Sequence, residues 1–458
     1  MERLAACTSL AGCLCLAAAA SPAQAIFCTQ PEVLRDASAA PIYLGRDAAR
    51  LTHFAVGAEW RPRLVYKKRR AGALAAHELH VLEGSRPMSL IERDRCGGRL
   101  PDAVYGGVAA PWVEDFAVDG GWLLLAVSDA RTGIPAVSRA PAQVLLVELV
   151  PGGAIAAVHV LASYWGDGRQ LFPRVRNVRF DREPDPAAVG PLVSWTVTHD
   201  AWQLGAPDDV WFCRIGPGGP QQAPQRANVA GVRSWYGITR QVVTEAAAAR
   251  LPLLLLSART ATPSGTDGGI FAAVAGGGPS PWLDEPGIEE VLDRARDLVF
   301  YLGPALNGCS RVHAAMAPAG RAPHRQLWEH DESEDGTDSA FTLSGSPGFT
   351  RATWPDGPRE HYYGMFETHA GETFSQARGV PMTCYETSDV CLFEAGGQPV
   401  SLRKLAPYST DICTFAQAIS RNLCIITVRP RVDSEDLRVR DFLDDDGDVL
   451  AIVFHCAL

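Results

Sequence analysis

LFPRVRNVRFDREPDPAAVGPLVSWTVTHDAWQLGAPDDVWFCRI, residues 171–215, reads as one unit of β-sheet. An arriving strand is followed by PLVSWTVTH, a polar turn region and then DDVWFCRI. Short runs rich in Val, Trp and Phe, bounded by Gly, Pro and Asp, are the composition of half-buried or buried strands.

The same grouping of two or three short strands returns along the chain. RLVYKK at residues 63–68 leads to HELHVLE at 77–83, and WLLLAVSD at 122–129 leads to QVLLVEL at 143–149. PLLLLSAR at 252–259 precedes IFAAVA, and LVFYLG at 298 precedes RVHAAMA. HYYGMFET at 361, then CIITVRP at 424 with DLRVRDF and VLAIVFH behind it, complete the series. The leading strands begin at 63, 122, 191, 252, 298, 361 and 424, a spacing that scatters around a common period. A long period of short strands is the mark of a repeat architecture. The expected fold is all-β: a β-propeller, most simply of seven blades, in which each sheet buries its neighbour. Six or eight blades are the adjacent counts, and a pair of β-sandwiches is the alternative architecture.

Helical signal is sparse. Ile288, Val291, Leu292 and Ala295 recur at i, i+3, i+4 and i+7, which predicts a helix over 286–298. TEAAAAR at 244–250 and DICTFAQAISRN at 411–422 are further candidates, and all three are expected to be short helical insertions between blades.

Residues 172–212 resemble the bacterial propeller repeats of the TolB and WD40-like type. FPRV gives an aromatic-Pro entry, VSWT a strand, and DDVWF an Asp before a strand with an aromatic residue. The resemblance implies a propeller in an exported bacterial protein. It implies no activity, because propellers host many unrelated functions.

With 458 residues, 47% of them hydrophobic, the chain can bury a large core. A formal charge of -10 is a poor match to nucleic acid, which selects for clustered cations. The basic cluster Lys67-Lys68-Arg69-Arg70 is expected on a hairpin tip. Residues 1–25 read as a signal peptide, with an apolar run ending in Ala23-Gln24-Ala25. Leu10-Ala11-Gly12-Cys13 offers a competing lipobox that would anchor the protein by lipid at Cys13. Both readings give an exported protein, periplasmic or secreted. No later run reaches the length of about 20 apolar residues that a spanning helix needs. An N-terminal arm over 26–50 and a propeller over 51–458 follow, and PIYLG at 41–45 is a strand that could close the ring. Nine cysteines lie beyond the signal, five of them in the last quarter, where an oxidising compartment favours disulfides. Their connectivity does not follow from spacing.

Catalytic motifs are missing: S-x-D-x-G-x-x-W, G-x-S-x-G, H-E-x-x-H and phosphate-binding glycine loops do not occur. His77 and His80 would point to opposite faces of a strand, which argues against a shared metal. The best argument for an enzyme is carboxylates at strand ends, converging on the axial mouth as a glycosidase requires. Asp129, Asp200, Asp209 and Glu367 hold such positions, with Trp195 and His199 beside one of them. The plainer reading is that they end strands and cap turns. Asp331, Ser333 and Asp335 follow the opening of a calcium loop, although Thr342 stands where a bidentate Glu belongs. Asp444 to Asp448 forms a second acidic cluster that reads more simply as a hairpin turn. Trp165, Trp202 and Trp328 are expected in loops, where an indole could stack on a sugar ring. The expectation is an exported, non-catalytic binding or scaffolding module holding a protein or glycan partner in the envelope. A carbohydrate-active hydrolase or lyase with carboxylates at the propeller mouth is the alternative.

Overall fold

A computed structural model of the chain describes residues 49–70, 76–85, 96–129, 142–165, 173–181, 192–198 and 208–227, with further strand segments from Phe27–Cys28 to Cys456–Ala457. The described residues fold as a β-propeller whose seven main sheets follow one another in chain order, each built on antiparallel strands. The first blade is Ala49–Val56, Glu59–Arg69, His77–Glu83 and Cys96–Arg99. The second is Pro111–Asp119, Trp122–Asp129, Ala142–Leu149 and Ile155–Tyr164. The third is Arg174–Asp181, Leu192–Thr198 and Asp208–Gly216, with the short Gln225–Arg226 on its outer edge. Blades four to six begin at Trp235–Glu245, Glu290–Ala295 and Thr350–Ala352.

The seventh sheet combines both ends of the chain. Thr410–Ser420, Leu423–Pro430 and Val449–Phe454 pair in sequence, and Glu32–Val33 and Tyr43–Leu44 then pair with Val449–Phe454. The strand expected near Pro41 therefore does add to the last blade. The first strand of each blade is its innermost. Ala49–Val56 packs beside Pro111–Asp119, which packs beside Arg174–Asp181, while Thr410–Ser420 returns to lie beside Ala49–Val56.

The two middle strands of the second blade are apolar on both faces because both faces are interior. Leu123, Leu125, Val127, Leu145, Val147 and Leu149 enter the core shared with the first blade. Leu124, Ala126, Ala142, Val144 and Leu146 enter the core shared with the third, against Val193, Trp195 and Val197. Alternation thus survives, but each parity finds its own apolar partner, giving the runs LLLAV and VLLV.

The seam between the third and fourth blades is polar. Asp181 Oδ2 accepts the Ser194 hydroxyl at 2.6 Å and the Val243 N–H at 3.2 Å. Buried Gln241 accepts the Thr196 hydroxyl at 2.8 Å and donates to the Asn177 carbonyl at 2.5 Å. Satisfying each group across the seam fixes how the two sheets meet, since an unpaired buried polar group is costly.

The innermost strands carry bulges, with register shifts between Val113 and Asp115, Arg176 and Arg179, Tyr236 and Arg240, and Val291 and Asp293. A bulge turns the two-residue alternation into a spacing of three. Val113 and Phe116 share one core, and Val175 and Val178 share the next. This spacing imitates a helix, and it corrects two of the three expected insertions. Residues 290–295 are the innermost strand of the fifth blade, and 410–420 is a strand with three register shifts. The third, at 244–250, begins inside Trp235–Glu245 and otherwise lies outside the described residues. One 3-10 turn, Asp102–Tyr105, is the helical element among the described residues. No helix among them is long and apolar enough to cross a membrane.

Gly153 marks where the first two blades meet most closely. Its φ is +73°, and a Cβ there would lie 2.5 Å from Val81 Cγ1 of the first blade. Gly152 has a comparable φ of +85° but opens onto free space. Gly152→Ala should therefore cost about 1–2 kcal/mol of backbone strain. Gly153→Ala should add about 1–3 kcal/mol of overpacking. Urea midpoints of the two variants measure the difference, and equal losses would remove the packing argument.

Candidate functional site

The second blade's innermost strand, PWVEDFAVD, places two carboxyl groups where three blades converge. Val113 and Phe116 point into the core with the first blade, and the bulge between them frees Glu114 and Asp115 to face away from it. Asp115 Oδ1 lies 3.3 Å from Arg50 Nη2 on the first blade's innermost strand. Its Oδ2 accepts the Val178 N–H at 2.9 Å from the third blade's innermost strand. Glu114 accepts the Ser128 hydroxyl at 3.3 Å and stands 3.7 Å from Arg174 Nε. Lys67 from the first blade donates to the Val113 carbonyl at 3.3 Å beside it.

Burial dominates the electrostatics of both acids. It pushes the Glu114 carboxyl above the usual carboxylate range, against Arg174, the Ser128 hydrogen bond and Lys67, and the Asp115 charge adds to the rise. Burial raises Asp115 too, opposed by Arg50 and by the N–H groups of Val178 and Phe116. Arg174 is itself exposed. Glu114 therefore stands behind a solvent-reaching cation, on the rim where the innermost strands begin. A carboxyl whose pKa is raised by burial, beside water but shielded from it, is suited to donate a proton to a leaving group.

Of the expected site residues that are described, Asp129 lies on the strand paired with that of Glu114 and Asp115. It is buried at the end of Trp122–Asp129, opposite Pro111 and one position beyond Ser128. Asp209 is buried in the third blade and pairs with Arg226, while neighbouring Asp208 takes the Thr198 hydroxyl at 2.5 Å and Arg176 Nη2 at 2.8 Å. Asp209 thus ties a strand to the blade edge. Asp200 and Glu367, and the calcium candidates Asp331, Ser333 and Asp335, lie outside the described residues. Among the described residues no three His, Cys, Asp or Glu side chains gather as for a metal. His77 and His80 diverge as expected: His77 accepts the Val113 N–H at 3.0 Å, and His80 meets Glu78 at 2.7 Å. Trp195 is buried, donating to the Tyr164 hydroxyl at 2.8 Å. Trp165 is 67% exposed, whereas Trp328 belongs to the strand Arg325–Glu329 rather than to a loop.

Cys213 is a free, buried thiol in the core between the second and third blades, and burial pushes its pKa up to about 12. Deprotonation and access are both blocked, so it should resist a thiol reagent in native buffer and react only on unfolding. Labelling followed by peptide mass spectrometry checks this, and fast native labelling would mean that the seam opens.

No family matches the chain, and no curated protein does. The TolB and WD40-like resemblance therefore extends no further than the propeller fold. Solved structures similar to it include the GH93 alpha-L-arabinofuranosidase of Fusarium graminearum, at 8% identity and a TM-score of 0.38, covering 94% of this chain and 98% of that one. The phage phi92 endosialidase follows at 7% identity and 0.36, covering 94% and 69%. The parainfluenza virus 5 hemagglutinin-neuraminidase stands at 7% and 0.34, covering 94% and 95%. At these scores none bears on what this chain does.

Proposed function

We propose that the protein is an exported carbohydrate-active hydrolase, with Glu114 as its general acid at the rim where the innermost strands begin. The observation that carries this reading is the largely buried Glu114 carboxyl, raised in pKa by burial and standing behind exposed Arg174. Cleaving a glycosidic bond needs a carboxylic acid that is still protonated, to give its proton to the departing oxygen, and a second carboxylate across the bond. Asp129 on the same rim is the described candidate for the second role, with Asp200 and Glu367 the others. Incubating the purified protein with a panel of polysaccharides and aryl glycosides, and measuring reducing sugar or released phenol, tests the reading. Turnover by the native chain that disappears in a folded Glu114→Gln variant is the expected result. No turnover on any glycan, with a stoichiometric protein partner recovered from the envelope instead, would establish the non-catalytic module.

A further inference from the structure

We infer that Cys28 and Cys456 form a disulfide that fastens the ring where the two ends of the chain meet. The register carries the inference. Phe27–Cys28 pairs antiparallel with Cys456–Ala457, and Cys28 is the residue directly opposite Cys456. The pairing continues the closure of the seventh blade, since Glu32 stands opposite Val453 and Val33 opposite Ile452. The two pairings are thus in nearly one register, a single step apart.

Directly opposed residues of an antiparallel pair have Cα atoms about 4.5–5.5 Å apart. Disulfides span Cα separations of about 4.4–6.8 Å, so the ladder brings these two backbones to bridging distance without rearrangement. The other cysteines in the described strands have no such neighbour: Cys96 faces Glu83, Cys213 faces Val193 and Cys309 faces Leu306. Cys384 faces Glu372, Cys391 faces Gly364 and Ser401, Cys413 faces Val428, and Cys424 faces Ala418 and Phe454. Only one cross-strand cysteine pair appears among the described pairings, and it lies at the closure.

Bridging oxidises two thiols: two S–H bonds break and one S–S bond forms. Two electrons and two protons pass to a disulfide oxidant of the glutathione or protein-dithiol class, which leaves as two thiols. The bridge would constrain the unfolded chain by joining residues at its two ends, and the constraint grows with the loop closed.

The full-length protein, folded in a glutathione redox buffer and alkylated without reduction, should yield on proteolysis one linked peptide pair containing Cys28 and Cys456. The pair should separate on reduction, with a gain of two hydrogens. Both cysteines recovered alkylated, or joined to other cysteines, would overturn the inference. Cys28→Ser, Cys456→Ser and the double variant should melt together, several degrees below the oxidised wild type and level with the reduced wild type. A reductant effect that survives in the variants, or losses that add in the double variant, would place the stabilisation elsewhere and reject the bridge. If either variant fails to fold, the peptide map of the wild type alone decides.

Discussion

Replacing Arg63 with alanine is expected to cost the protein about 3–5 kcal/mol, the range for stranding one partner of a buried ion pair. Arg63 is fully buried, and all five of its N–H donors are engaged. Nε and Nη2 reach Glu83 Oε1 at 2.8 and 2.7 Å. Nη1 donates to the carbonyls of Gly120 and Leu149 at 3.1 and 3.3 Å, and Nη2 to that of Val150 at 3.2 Å. The guanidinium also lies over the Phe54 ring, 4.1 Å from its centroid. Glu83 completes the tie by accepting the Gly152 N–H at 2.7 Å. One side chain of the first blade therefore holds both turns at one end of the second. Alanine strips the guanidinium from the carbonyls of Gly120, Leu149 and Val150 and leaves the buried Glu83 carboxylate without its counter-charge. Lysine should rescue little, because an ammonium cannot fill a planar five-donor site. Urea denaturation of Arg63→Ala, Arg63→Lys and Arg63→Met/Glu83→Leu measures these effects. The double variant should lose less than the sum of the single losses, since removing both charges spares the uncompensated one. A loss below about 1 kcal/mol for Arg63→Ala, the worth of an exposed pair, would rule out this tie as what joins the blades.

Glu114→Gln should lower turnover by about 100- to 10,000-fold, the usual contribution of a positioned general acid. The amide keeps the shape and can still accept from Ser128, but it has no proton to give. Activity of the native enzyme should fall as pH rises through the elevated Glu114 pKa, and that alkaline limb should vanish from the residual activity of the variant. Stability should fall over the same pH range as activity. The folded pKa of Glu114 lies above its unfolded value, so the folded state binds the extra proton. Its contribution is fully present below the unfolded pKa and is lost as pH climbs through the folded one. The variant should therefore match the wild type in urea near pH 4 and exceed it near pH 8. A variant that is less stable than wild type at both pH values, or that retains full turnover, would contradict the assignment.

How much of this was legible in the sequence depended on where each strand sits. The starts read at 122, 191, 252, 298, 361 and 424 fall at the second strands of successive blades, and 63 falls inside Glu59–Arg69. Those at 122 and 192 are buried on both faces, and all of them read as apolar runs that are easily seen. Innermost strands were harder to read, because they line an axis that tolerates Arg, Glu and Asp and because bulges break their alternation. RVRNVRFD and PWVEDFAVD carry the groups that join blades, and neither reads as strongly apolar. Glu114 and Asp115 were missed for this reason. Two consecutive acids inside a strand that is apolar at Val113 and Phe116 were the available signal, since only a bulge lets both leave the core. Asp129 was found because it ends a visible strand.

The doubly covered strands of the second blade also set a hazard during synthesis. Leu124, Ala126, Val144 and Leu146 gain their cover only when the third blade is made, and Arg174 follows Pro111 by about sixty residues. At roughly 5–20 residues per second, the ribosome leaves that sticky face bare for about 3–12 s. LLLAV and VLLV are strong β-formers without charge, the composition that aggregates when exposed. Asp119, Asp129 and Glu148 flank them and act as gatekeepers. Dilution during refolding, or a chaperone that shields nascent chains, should therefore raise the yield of this protein more than any change that strengthens its finished ring.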